Sequence, residues 1–290
     1  MPALGELEIE RQKQSNQSSL PHFASFEPHR RRLSALILPP RLSGGGRLCV
    51  LGAGNAYDLE LDAVVACYDE VHLVDLDSAA LERAAQRVRA EHRQRLFLHA
   101  PVDLSGLLGR LSAWKDLRVT EEELVQLPER ASANLEAALG GPFDVVLSAC
   151  VLSQMLFGLR SALSSRHPLF EAGCFTVVLT HLRTLLRLTA AGGRAILATD
   201  VASDEITPLD SADPEDALPL LHQLAWAGDL FSAVSPANLK AVAEDDPVLR
   251  QQARLTPPES AWIWANGPKR RFLVCAMELR TTAEENARSK

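Results

Sequence analysis

Short runs of consecutive apolar residues alternate along this chain with segments whose apolar positions recur at helical spacing. Five such runs are residues 47–51 (RLCVL), 71–74 (VHLV), 96–99 (LFLH), 143–147 (FDVVL) and 194–198 (RAILA). They are nearly continuous in Val, Leu and Ile, which is the pattern of strands covered on both faces of a parallel sheet. Helical spacing follows near residues 58–67 and 79–92, again from Ser153, and over 174–188. Strands alternating with helices predict an α/β fold with a doubly wound, mostly parallel sheet. Two further runs, 261–264 and 272–277, flank Asn266-Gly267-Pro268. A turn of that composition joins antiparallel neighbours, so the sheet is expected to hold seven strands and to end in a C-terminal antiparallel hairpin.

The same pattern divides the chain. Residues 1–20 are polar and rich in Gln and Ser, and read as a disordered tail. Residues 21–42 read as an N-terminal cap helix carrying Phe23, Phe26, Leu33, Leu36 and Leu38, ended by Pro39-Pro40. Residues 43–280 form the main domain, entered through Ser43-Gly44-Gly45-Gly46, and 281–290 are a second tail. Two connections are too long to be simple loops. Residues 104–141 carry helical stretches at 104–114 and 121–139, and residues 201–258 are rich in acids and proline.

Composition narrows the functional classes. Hydrophobic residues make up 47% and charged residues 23%, enough apolar material for a full core in a soluble domain. The net charge of −7 disfavours a general binder of nucleic-acid backbone. No run reaches the roughly 20 apolar residues of a membrane span, and the N-terminus lacks the apolar core of a signal peptide. Five cysteines, an odd number with no CxxC pair, argue against a disulfide framework or a structural zinc site. The expectation is a reduced, cytoplasmic protein, with a homodimer left open.

The strongest local signal is Leu48-Cys49-Val50-Leu51-Gly52-Ala53-Gly54-Asn55-Ala56, a strand running into a G-x-G turn and then a helix. Glycines there let a ligand approach the backbone, and a following helix offers free N–H groups. A plain strand-to-helix turn would use the same residues. Two acids add context. Asp75 ends the second strand, 21 residues after Gly54, where a carboxylate can take both hydroxyls of a ribose. Asp103 follows the third strand, although a helix N-cap is an equally good reading of it; Asp77 reads as the N-cap of the next helix. A dinucleotide fingerprint would want a third glycine where Tyr57 stands.

These features together resemble the class I S-adenosylmethionine-dependent methyltransferases. The resemblance covers about residues 45–200 and the hairpin near 260–280, and rests on LGAGN (51–55), VDLD (74–77), Asp103 and FDVVLSACVLSQM (143–155). It implies a Rossmann-like seven-stranded sheet whose last strand is inserted antiparallel, and S-adenosyl-L-methionine as cofactor. The turn Gly52-Ala53-Gly54-Asn55 would then approach the methionine part, and Asp75, with Leu76 beside it, would hold the ribose. Asp103 would face the adenine, with Val102 and Leu104 flanking the ring, and Ser148, Ala149 and Cys150 would form the loop near the sulfur. The chain departs from the family at Val50, where the family often carries an acid. Contact with the cofactor's amino group must then come from a carbonyl at Gly52 or Ser148, or from Asp58.

Methyl transfer needs a positioned nucleophile more than a catalytic triad, and the sequence shows none. Ser153 and Gln154 open the helix after the fourth strand, facing the expected acceptor mouth. His29 is a candidate base and Arg30 a candidate carboxylate binder, if the N-terminal helix folds over that mouth. The run His29-Arg30-Arg31-Arg32 would equally suit a basic surface, and His181 reads as a core or helix-surface histidine. Trp262 and Trp264 share one face of a strand and read as core. The SACV loop lacks the Asn/Asp-Pro-Pro-aromatic signature of amino-group methyltransferases that act on nucleobases or glutamine. With the acidic charge, this favours a small-molecule acceptor over nucleic acid. An aminopropyl- or aminocarboxypropyltransferase, a nicotinamide enzyme, or a non-catalytic scaffold of the same fold remain alternatives.

Overall fold

The computed structural model describes residues 3–38, 45–115, 118–209, 213–214, 216–267 and 270–281. In chain order the elements are α1 (Leu4–Ser18), α2 (Glu27–Ile37), β1 (Arg47–Leu51), α3 (Leu61–Cys67), β2 (Glu70–Val74), α4 (Ser78–Gln86) and β3 (Leu96–His99). Then come α5 (Leu111–Lys115), α6 (Glu121–Leu139), β4 (Phe143–Ala149), α7 (Leu152–Ala162), α8 (Phe170–Leu188) and β5 (Thr189–Ser203). The chain closes with α9 (Leu218–Ala227), α10 (Pro236–Asp245), α11 (Pro247–Gln252), β6 (Ala253–Leu255), β7 (Ser260–Ala265) and β8 (Arg271–Thr281). No helix among the described residues is long and apolar enough to cross a membrane.

The strands form one sheet in the order β3-β2-β1-β4-β5-β8-β6, with β7 also paired to β8. The first five are parallel, and β8 enters antiparallel between β5 and its outer partners. β6 pairs with residues 279–281 of β8 and β7 with residues 271–276. The seven expected positions across the sheet are therefore filled by eight strands, because two short strands share the last position. This is a doubly wound, mostly parallel Rossmann-like sheet with a closing antiparallel hairpin.

Burial on both faces explains the continuous apolar runs. In β1, Cys49 and Leu51 pack into one core with α5–α8, while Leu48 and Val50 face a second core with α2, α3 and Trp262. In β5, Leu197 faces the first core and Ile196 the second. Helix α6 spans the sequence-predicted residues 121–139. Thr120 caps its start by accepting from the Glu123 N–H, and Gly140 at φ 67° ends it. As expected, Asp77 caps α4 by accepting from the Ala80 N–H.

Two expectations are corrected. Residues 1–20 do not read out as a free tail, since residues 4–18 are helix α1 and Leu20–Phe26 a 3-10 turn. The helix carries no apolar stripe because polar bonds and close backbone packing dock it. The Leu4 N–H donates to Ser112 Oγ (2.8 Å), and a Cβ at Gly5 would lie 2.3 Å from the Leu108 carbonyl oxygen. The helix expected at 104–114 shrinks to α5, because the Asp103 carboxylate folds the preceding segment into a loop. It accepts from the N–H groups of Ser105, Gly106 and Leu108 and from Ser105 Oγ. The Pro39-Pro40 stop, the 43–44 link, Pro268 and the tail at 282–290 lie outside the described residues. The long 201–258 connection starts as the end of β5 and then builds α9, α10, α11 and β6.

One core group sets a pH response. His181 on α8 is fully buried, with Nε2 2.8 Å from Ser148 Oγ, and desolvation pushes its pKa from 6.5 to about 4. The folded protein therefore keeps it neutral where the unfolded chain takes up a proton. Its stabilising contribution is complete above pH 6.5 and is lost as pH falls towards 4. A shift of that size corresponds to about 3 kcal/mol. Urea unfolding at pH 7, 5.5 and 4 is expected to show a steeper loss for the native chain than for His181→Gln. Parallel losses in the two proteins would remove His181 as the cause.

Candidate functional site

Strand register builds the site. Leu51 pairs with Val74 on one side and with Ser148 on the other, and Val74 pairs with His99. The carboxyl ends of β3, β2, β1 and β4 are therefore level. After β3 the chain crosses to β4 on the far side of β1, so a crevice opens between β1 and β4, the position where doubly wound sheets bind ligands.

The glycine turn sits over that crevice. Gly52 has φ 75°, and a Cβ there would lie 2.4 Å from Val151 Cβ. Gly54 has φ 49°, and its N–H donates to Asp75 Oδ2 at 2.8 Å. Asp75 Oδ1 accepts from the Asp77 N–H at 2.9 Å. Burial raises the Asp75 pKa against backbone hydrogen bonds from Asp77, Gly54 and Leu76. The carboxylate lines a cavity.

Two cavities flank the turn, and Gln12, Gly52 and Gln154 line both. The first, about 50 Å³, is bounded by Asp75, Leu76, Val102, Asp103 and Leu104, with Glu8 and Gln12 of α1 on its outer wall. The second, about 230 Å³, holds Ala53, Gly54 and Asn55 on one side and Ala149 and Cys150 on another, beneath Tyr57, Asp58 and Trp264. The sequence-predicted cofactor residues other than Ser148 thus line two neighbouring spaces that share Gln12, Gly52 and Gln154. A residue larger than glycine at position 52 would collide with Val151, and at position 54 with Asn16 of α1.

Several candidates take other roles. Ser148 is fully buried and faces His181, away from the cavities. Asn55 is a structural bracket: its Nδ2 donates to the Asn16 carbonyl and to Ser19 Oγ, and its Oδ1 accepts from Arg83 Nε. Asp103 lines the first cavity, but four hydrogen bonds commit its carboxylate to the 103–108 loop. Gln154 lines both cavities and donates from Nε2 to the Cys150 carbonyl. Ser153 turns to β5, donating from Oγ to Asp200 Oδ1 at 2.6 Å.

His29 and Arg30 correct the expectation of acceptor-facing groups. His29 is fully buried; its Nδ1 accepts from Trp262 Nε1 at 2.9 Å, and its ring stacks on Trp264 at 4.6 Å. Nδ1 is therefore an acceptor, and Nε2 lies 3.3 Å from Asp58 Oδ1 without a hydrogen bond between them. Arg30 is also buried, donating to Glu60 and to the carbonyls of Phe23 and Tyr57. Both side chains are drawn inward because the 3-10 turn and α2 pack on the glycine loop and β7.

Sequence reasoning missed Gln12 and Asn16, which sit on a helix without an amphipathic signal. It also missed Asp200, legible in hindsight as the acid at the carboxyl end of the fifth strand. Burial raises the Asp200 pKa, and burial keeps the Cys150 thiol protonated, with both Asp200 and Asp58 adding to that effect. Cys150 adopts φ 51°, a strained value for a residue with a side chain, at the tip of β4.

No family model and no curated protein matches this chain. Solved structures overlap it loosely. A SAM-dependent methyltransferase from Aquifex aeolicus aligns over 92% of this chain and 97% of its own, with 11% identity and a TM-score of 0.44. TrmN from Thermus thermophilus aligns over 89% of this chain, which spans about half (52%) of that one, at 17% identity and a TM-score of 0.41. An arsenic(III) S-adenosylmethionine methyltransferase from Chlamydomonas reinhardtii aligns over 86% of this chain and 72% of its own, at 18% identity and a TM-score of 0.34. Overlaps this loose carry no information about what this chain acts on.

The glycine turn has a direct test. Gly52→Ala is expected to destabilise the fold by about 1–3 kcal/mol in urea unfolding, because the new Cβ overlaps Val151. A variant as stable as the native protein would show that the turn is not packed as described.

Proposed function

We propose that this chain is an S-adenosylmethionine-dependent methyltransferase acting on a small-molecule acceptor. One observation carries the reading: the Gly52–Gly54 turn of β1 and the Asp75 carboxylate of β2 meet on one flank of the crevice, joined by the Gly54 N–H at 2.8 Å. That unit presents a close backbone and a buried carboxylate side by side, which is what an adenosyl group needs.

The residues present fit the cofactor. The Asp75 carboxylate lines the cavity as an acceptor for ribose hydroxyls, and Val102, Leu104 and Met155 give apolar walls for a ring. Position 52 is held at a positive φ that spares the methionine part a side chain. Bound S-adenosylmethionine supplies a methyl group on a cationic sulfur, already activated for in-line displacement. The chain's own work is to hold, orient and dry the site. Helix α1 excludes water by laying Glu8 and Gln12 across the first cavity. At about 50 Å³ that cavity is smaller than an adenosyl group, so the reading requires its lining side chains to move apart on binding.

The second cavity, at about 230 Å³, is where an acceptor would meet the glycine turn. Its size and the net charge of −7 favour a small molecule over a nucleic acid.

Calorimetric titration with S-adenosylhomocysteine, with NAD as the control ligand, tests the reading. The native chain is expected to bind the first and not the second. Asp75→Ala should weaken the interaction by about 1–3 kcal/mol, the scale of lost hydrogen bonds to a charged group. Unchanged affinity in a folded Asp75→Ala protein, or a preference for NAD, would overturn the assignment. Product analysis separates the related chemistry: methyl transfer leaves S-adenosylhomocysteine, and aminopropyl transfer leaves methylthioadenosine.

A further inference from the structure

The segment between β5 and the closing hairpin puts an apolar surface on the outside of the molecule. Trp226, in the last turn of α9, is 94% exposed, and Ile206, just beyond β5, is 73% exposed. The two flank one contact, in which Thr207 Oγ1 donates to the Asp229 carbonyl at 3.4 Å. Pro208, Ala225 and Ala227 are exposed around them. The fold does not call for an indole at this place. Helix α9 is held by the buried Leu220, Leu221 and Leu224 and by the Ala217 N–H on the Ala261 carbonyl of β7. The other three tryptophans, Trp114, Trp262 and Trp264, are all buried. Tryptophan is among the side chains most enriched where protein surfaces meet.

Charge selects the partner. Residues 201–230 contain seven acids, no Lys or Arg, and a single histidine, His222. Two of the acids meet arginines: Glu205 lies 3.6 Å from Arg270, and Asp204 lies 3.5 Å from Arg271. Asp229 is exposed just after Trp226, and Asp216 is exposed where the chain enters α9. A second copy of this chain would bring like charges face to face. A nucleic acid or an anionic membrane would be repelled in the same way. A basic polypeptide gains twice, through its cations on these acids and through their attraction to the face of an indole.

We propose that this surface docks a short basic segment of a partner protein. An apolar side chain of the segment lies on Trp226 and Ile206, and its Lys or Arg residues face Asp229 and Asp216. From Asp216 to Trp226 the helix rise gives about 15 Å, which an extended chain covers in about five residues. Glu205 joins this surface to Arg270, which lines the second cavity, so a partner held here sits beside the crevice. The proposal rests on the surface and not on the methyltransferase reading.

Trp226 is the one exposed tryptophan of the four, so quenching of the protein's emission reads this surface directly. In the full chain, caesium ion is expected to quench more strongly than iodide, the sign of a negative potential at the ring. The binding probes are the peptides acetyl-KKLLKK-amide and acetyl-EELLEE-amide, equal in length and apolar content. The lysine peptide is expected to shield Trp226 from acrylamide. By calorimetry it should bind more than about tenfold more tightly than the glutamate peptide, with the preference fading as salt rises. Trp226→Ala, at a position exposed enough to leave the fold intact, should weaken lysine-peptide binding about tenfold with an unchanged urea midpoint. Equal binding of the two peptides, no measurable binding of the lysine peptide, iodide quenching as strong as that by caesium, or undiminished binding to Trp226→Ala overturns the proposal. None of these readouts involves S-adenosylhomocysteine, so the docking surface and the methyltransferase reading stand or fall separately.

Discussion

A single hydrogen bond organises the upper face of this protein: the Gly54 N–H on the Asp75 carboxylate, 2.8 Å long and buried. It ties the loop after β1 to the end of β2, on one flank of the crevice. A carboxylate at that depth is stable only because backbone N–H groups meet both of its oxygens.

Polar packing closes the site. Helix α1 lies over the turn, with Asn16 donating to Asp77 and accepting through its carbonyl from Asn55. Asn55 in turn is held by Arg83, and its carbonyl and that of Ala56 accept from Arg87. Behind it, Trp262 of β7 donates to His29 of α2, which lies 3.3 Å from Asp58 after the glycine turn, and Trp264 of the same strand lines the second cavity.

The sheet was legible because strands buried on two faces leave continuous apolar runs, as β1, β2, β4 and β5 do; the β3 run is as apolar although Phe97 and Leu98 are exposed at the sheet edge. The glycine turn, Asp75 and the Asp77 cap were legible because each needs a particular residue type at a strand end. Helix α1 was not, since it docks without an apolar stripe and so resembles a solvated tail. The 103–108 loop was misread as helix because the Asp103 hydrogen bonds that override helical propensity are set by tertiary geometry. β6 has three residues, too few for a periodicity to register. The inward turn of His29, Arg30 and Ser148 could not be read either, because it depends on the packing of α2 against β7 and of α8 against β4.

The central claim is that Asp75 and the glycine turn together hold an adenosyl group. A crystal structure of the chain with S-adenosylhomocysteine tests it most directly. The account predicts the ribose hydroxyls within hydrogen-bonding distance of Asp75, the ring between Val102, Leu104 and Met155, and Glu8 and Gln12 displaced outward. A ligand bound elsewhere, or a ribose facing away from Asp75, would contradict it.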